Sequence, residues 1–206
     1  MNRLHHLIAA TAVTSLGACS TVMPTAQSGF LSDYTALDAA SDEASATRAS
    51  ADQIDPARVS VDAVAWRVTS SVDISTDERE ALLTQLRSEL RRHVRALPAQ
   101  PQGRPAVLRA AITRVETVSP ALNTLSALLL IVPLDRGGAA VEIEAVDPQT
   151  GRQLAALTQG YFAPMSELKA RFSKLAPADI AVRKAAADFV PLLQPAPDAG
   201  KMTALR

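Results

Sequence analysis

The chain has a single cysteine, 3% aromatic residues and no surplus of charge of either sign. Each shortage excludes something. One cysteine, Cys19, rules out an internal disulfide and a multi-cysteine metal site. Few aromatics leave too little stacking surface for a dedicated sugar or single-strand nucleic-acid binder. Lys plus Arg number 21 and Asp plus Glu 21, which excludes a nucleic-acid binder that relies on a large basic excess. A local basic face remains open. Nowhere does an apolar run reach the roughly 20 residues that span a bilayer as a helix. What the chain does have is 206 residues with 48% hydrophobic side chains, enough for one sizeable core.

The N-terminus reads as an address. Arg3 precedes a mostly apolar stretch from Leu7 to Leu16, a charged region followed by a hydrophobic one of signal-peptide length. Leu16-Gly17-Ala18-Cys19 follows and resembles the lipobox of bacterial lipoproteins: a large aliphatic residue, two small ones, then the cysteine. The resemblance implies that the Cys19 thiol receives a diacylglyceryl group, that residues 1–18 are removed, and that the new amino terminus is open to acylation by a fatty acid such as palmitate. Each buried CH₂ contributes about 0.8 kcal/mol, so two or three chains anchor for practical purposes permanently. Ser20, in place of the Asp that favours inner-membrane retention in the lipoprotein sorting rule, points to the outer membrane, facing the periplasm.

Residues 19–56 are rich in Ala, Ser, Thr and Asp and read as a lipidated N-terminus and flexible tether, holding the folded part off the membrane. One segment within it, Ser28-Gly29-Phe30-Leu31-Ser32-Asp33-Tyr34, is expected to pack on the domain, because exposed aromatics have little reason to be there. Together with the lipobox and the later hairpin and terminal helix, this GFLSDY stretch resembles the bacterial lipoproteins that carry domain of unknown function 3313 (DUF3313). The resemblance covers nearly the whole mature chain and implies an α+β envelope lipoprotein. It brings no catalytic residues to transfer.

A domain is expected over 57–194. Val59, Val61, Val64, Trp66 and Val68 favour a strand, with Trp66 in the core. Ser75 and Glu78 have the form of a capping box, and Leu83, Leu86, Leu90, Val94 and Leu97 step by three or four along a helix that Pro98 ends. Arg87, Arg91, Arg92 and Arg95 fall off that stripe and read as a solvated face, with contact to anionic lipid as the sharper alternative. Residues 105–118 suit a central strand covered on both faces. Two further strands, from Ala139 to Asp147 and from Gln153 to Tyr161, flank the turn chemistry of Asp147-Pro148-Gln149-Thr150-Gly151.

The window from Leu125 to Val132 is the most apolar of the mature chain. Periodicity alone leaves it open as a buried helix, a strand or an exposed contact surface. Pro164 could open a short helix through Phe172, and a last helix runs from Pro177 to about Val190. A disordered tail is expected over 195–206. The order of elements indicates an α+β fold: a small antiparallel or mixed β-sheet with helices packed on one side.

Chemistry is sparse. His5 and His6 leave with the signal, so a triad would depend on His93, beside Arg92, and no two-histidine zinc site can be built. Ser166-Glu167-Leu168-Lys169 matches the S-x-x-K pattern of penicillin-recognising enzymes, but the S-D-N and K-T-G companions are absent. Gly137-Gly138 lacks the loop, lysine and helix of a phosphate cradle. Glu142 and Glu144 share one strand face, expected to be the polar, solvated face of the hairpin, and such pairs serve hydrolysis only when one is buried. The expectation is a lipid-anchored envelope protein, lipidated at Cys19, without enzymatic activity, metal, cofactor or nucleic-acid partner, acting as an accessory or scaffold through a protein partner. The alternatives are a module binding a lipid or other apolar ligand through the 125–132 window, and, third, a cell-wall hydrolase using Ser166 or the carboxylate pair.

Overall fold

A computed structural model describes residues 21–41, 44–48, 54–130 and 136–194. Cys19 and its leader, the end of the apolar window and the tail from 195 lie outside them. The fold is α+β. Seven strands form one mixed sheet: β1 (Asp38–Ser41), β2 (Ala44–Arg48), β3 (Ile54–Val61), β4 (Ala65–Trp66), β5 (Arg104–Glu116), β6 (Gly138–Val146) and β7 (Gln153–Phe162). Their order is β1-β2-β7-β6-β5-β3, with β4 also on β5. β3 and β4 run parallel to β5, and the other pairs are antiparallel.

The centre of the sheet is the β5-β6-β7 meander, and its register separates two faces. Ala110, Ile143 and Leu157 lie opposite one another on one face, and Ala111, Glu142 and Thr158 on the other. The first face is covered by α1 (Thr76–Arg95) and α3 (Ala176–Phe189), which contact each other. α1 starts where the sequence marks it, with Ser75 accepting from the Glu78 amide and the Glu78 carboxylate accepting from the Ser75 amide. It buries Leu82, Leu86, Leu90 and Val94, a row four residues apart, while Leu83 and Leu97 of the expected stripe are only half-buried. α3 buries Ala178, Ala181, Ala185 and Ala186 with Val182 and Phe189, and its small side chains let its axis approach the sheet closely. Trp66 is half-buried at the rim of the core.

Two expectations shift, and one open reading is decided. Residues 21–41 and 44–48, expected as part of a tether, carry two strands and a long stretch laid on the sheet, and β3 begins at Ile54. Pro164 stands just before the 3₁₀ helix Met165–Phe172 rather than inside its first turn. The described part of the window that begins at Leu125 is the second half of a helix, α2 (Pro120–Leu130), whose Leu122, Leu125, Leu128 and Leu129 stand in solvent.

Candidate functional site: a carboxylate pair under an N-terminal strap

Glu142 and Glu144 are not solvated. Their residue exposures are 1% and 0%, because the stretch from Thr21 to Leu37 crosses the face that the helices leave free. Its start is fixed beside β7: the Phe162 amide donates to the Thr21 carbonyl at 2.7 Å, and the Met23 amide donates to the Gly160 carbonyl at 3.1 Å. Residue 160 must be glycine here, since a Cβ would stand 2.1 Å from the Met23 carbonyl oxygen. From there the chain runs over β6, and each residue of the GFLSDY stretch has a task.

The Ser28 amide donates to Glu142 Oε1 at 2.8 Å, and its hydroxyl donates to Oε2 at 2.6 Å. Gly29 supplies a φ of +75°, a conformation that side chains with a Cβ rarely adopt. Phe30 places its ring under the Arg109 guanidinium, 5.5 Å from the centroid, and Leu31 is buried. Ser32 repeats the Ser28 arrangement one pleat on: amide and hydroxyl both donate to Glu144 Oε2, at 2.9 and 2.7 Å. Asp33 closes a local turn by accepting from the Thr35 amide and hydroxyl, which hold its carboxyl below the ordinary carboxylate range. Tyr34 ties the stretch to itself and to the sheet. Its oxygen accepts from the Phe30 and Leu31 amides and donates to Glu142 Oε2 at 2.8 Å. Burial pushes this phenol above its usual range, and the adjoining Glu142 carboxylate adds to the rise.

The sheet completes the shell. Arg109, opposite Glu144 on β5, brings Nη1 to 3.2 Å of Glu144 Oε1, and Gln153 on β7 donates to Glu144 Oε2 at 2.9 Å. Gln153 also donates to the Asp33 carbonyl at 3.0 Å, which pins the far end of the strap. Burying a carboxylate is costly unless charge and hydrogen bonds compensate it. Here Glu142 receives three donors and Glu144 three donors and a guanidinium, all from the strap and neighbouring strands. The pair therefore serves as the floor to which the strap is bolted.

Other candidates are dispersed. Ser166 and Lys169 are exposed on the 3₁₀ helix. His93 lies 3.7 Å from Glu89 Oε2 on α1, and Arg92 also pairs with Glu89, while Arg87 and Arg91 reach the Val61 carbonyl. Two of the four arginines thus bind α1 to β3 instead of forming a purely solvated face. Among the described residues no group of His, Cys, Asp and Glu could hold a metal, and no helix is long and apolar enough to cross a membrane.

Two surface features remain, of which the sequence left the first unread and the second open. An open cleft of about 1040 Å³ lies beside the strap, lined by residues 24–28, the 66–73 loop and the end of β5, with Arg67, Arg114 and Arg136 among its walls. Arg114 donates to Glu116 at 2.9 Å, and Arg136 stacks over the Phe162 ring at 4.7 Å. The other feature is α2. Leu122, Leu125, Leu128 and Leu129 are 48%, 54%, 79% and 69% exposed, so the window is a surface rather than the lining of an enclosed groove.

No curated protein matches the chain. Among solved structures it is similar to the PelC dodecamer from Paraburkholderia phytofirmans at 14% identity and TM-score 0.44, and to a leucine-to-methionine variant of it at 15% and 0.41. Both alignments cover 74% of this chain and 98% of the other. A family profile described as "Protein of unknown function (DUF3313)" matches residues 26–189, from just before the strap signature to the last residue of α3, and the chain belongs to that family.

Proposed function

We propose that this protein is a lipid-anchored component of the bacterial cell envelope that acts through protein contacts, as an accessory or scaffold of a larger assembly. The observation that carries the reading is the continuity between the lipobox and the fold. Cys19 precedes Thr21 by two residues, and the Thr21 carbonyl already accepts a hydrogen bond from β7. An acyl anchor at Cys19 therefore holds the sheet itself close to the lipid, with hardly any slack. Ser20 favours the outer membrane and its periplasmic face. The reading also accounts for the carboxylates: Glu142 and Glu144 are occupied in fixing the strap that joins anchor to domain, so their chemistry is spent on architecture.

The test is crosslinking in cells followed by purification of the lipidated chain and mass spectrometry, with Cys19→Ala as control. A stoichiometric envelope partner that is lost in the control supports the reading. Absence of acyl mass on Cys19, or unchanged membrane residence of Cys19→Ala, overturns the anchor. The open cleft beside the strap, walled by Trp66 and Val68 as well as by Arg67, Arg114 and Arg136, favours a second reading, a module that binds a lipid. Native mass spectrometry of the domain would then find a copurified ligand, and Trp66→Ala, at the cleft wall, would lose it.

A further inference from the structure

We propose that α2 is a membrane-contact element: its leucine face inserts into the same bilayer leaflet that holds the Cys19 acyl chains. This rests on the lipid-anchored reading above and adds an orientation to it.

The first support is the helix. Its sequence, Pro-Ala-Leu-Asn-Thr-Leu-Ser-Ala-Leu-Leu-Leu, contains no charged residue. At about 100° per residue, Leu122, Leu125, Leu128 and Leu129 fall within a sector of about 120°. Asn123 and Ala127 lie on the opposite side, and Asn123 is fully buried while Ala127 is half-buried. The helix thus turns a leucine face outward while it buries Asn123. Eleven residues make about 16 Å, too short to cross a bilayer and suited to lying along its surface.

Placement is the second, independent support. Thr21 bonds to Phe162, Phe162 pairs with Gly138, and Gly138 pairs with Glu116, so the four form a row across one end of the sheet. α2 lies in the connection between Glu116 and Gly138, and it packs on the 3₁₀ helix that follows Phe162. Three strand spacings put Thr21 and Glu116 about 15 Å apart. Two residues reach at most about 7 Å, so the acyl chains enter the bilayer at this same end. A sheet held there by its lipid presents α2 to the headgroups. The 3₁₀ helix contributes an exposed Phe172, an apolar ring suited to insertion, and an exposed Lys169, a cation suited to anionic headgroups. A second copy of the chain would cover the leucines equally well as a surface, but it would have to compete with a bilayer fixed beside them.

The experiment uses the full lipidated chain. Leu128→Cys, at the most exposed leucine, carries an environment-sensitive fluorophore, and Ser88→Cys on α1 carries the same label as reference; acylation leaves no native thiol to compete. The protein is incorporated into vesicles of phosphatidylethanolamine and phosphatidylglycerol and recovered by flotation. A blue shift at 128, with quenching by nitroxide-bearing lipid and neither effect at 88, is the expected result. Flotation with a water-like spectrum at 128 overturns the α2 assignment while leaving the anchor intact. Absence of acyl mass and of flotation overturns both. A blue shift in detergent-free solution without vesicles, accompanied by dimer mass, gives the face to a second copy and likewise overturns the assignment.

Discussion

β6 and α2 are consecutive elements that break the rule of apolar inside and polar outside in opposite directions. Every residue of β6 is buried, two glutamates included, whereas α2, without a single charge, exposes four leucines. Charge alone would assign Glu142 and Glu144 to the surface and the leucines to the core. The difference lies in what each meets. The polar face of β6 is met by a strap rich in donors, and hydrogen bonds to charged groups contribute about 1.5–3 kcal/mol each. The apolar face of α2 meets nothing within the described chain, so the stabilisation of about 1.5–3 kcal/mol available from burying each leucine remains unused until another phase covers it.

The comparison can be broken by substitution. The largest effect is expected on the helix side of β6: Ile143→Ala removes a fully buried side chain and should cost about 2–5 kcal/mol in urea unfolding. Tyr34→Phe probes the other side of the same strand. It strips one donor from Glu142 and leaves the Phe30 and Leu31 amides without their acceptor, for a loss of about 1.5–3 kcal/mol and faster proteolysis around residues 28–34. A loss as small as for a surface residue would mean that the strap is only loosely held.

Acid should act more gently, through the turn that joins β6 to β7. Asp147 accepts from the Gln149 and Thr150 amides, which hold its carboxyl below the ordinary value of 3.8. The unfolded chain therefore binds this proton first, so the Asp147 contribution is present above about pH 4 and is lost as pH falls through the depressed value. Asp147→Asn should flatten that part of the stability–pH profile. The smallest effect on stability is expected at α2: Leu128→Ser should change the unfolding free energy by no more than about 0.5 kcal/mol. A large loss there would mean that the leucine is covered within the fold and would erase the contrast with β6.

How much of this is legible in the sequence depends on the range of the interaction. The capping box at Ser75 and Glu78, the leucine steps of α1 and the Asp147–Gly151 turn are readable because their partners lie within four residues or within a hairpin. Even there, Leu82 is buried in the core and Leu83 only half-buried against it, since steps of three and four leave the edge of a stripe undetermined. The strap is a different case. Its packing was legible from Phe30 and Tyr34, but its role was not, because Ser28 and Ser32 act on glutamates more than one hundred positions away. A Glu-x-Glu on a strand looks the same whether its face is wet or covered.

By itself the sequence determined the α+β class, the central hairpin and α1, since local propensity and short-range pattern suffice for these, and the DUF3313 family was legible through the resemblance of the GFLSDY stretch. The lipobox reading of Cys19 also belongs to the sequence alone. Tertiary structure decided that the glutamates are inside and the leucines outside. Burial is a property of what packs against a side chain: a strap fastened near Phe162 and Gln153, the two ends of β7, covers the glutamates, and no described element covers the four leucines.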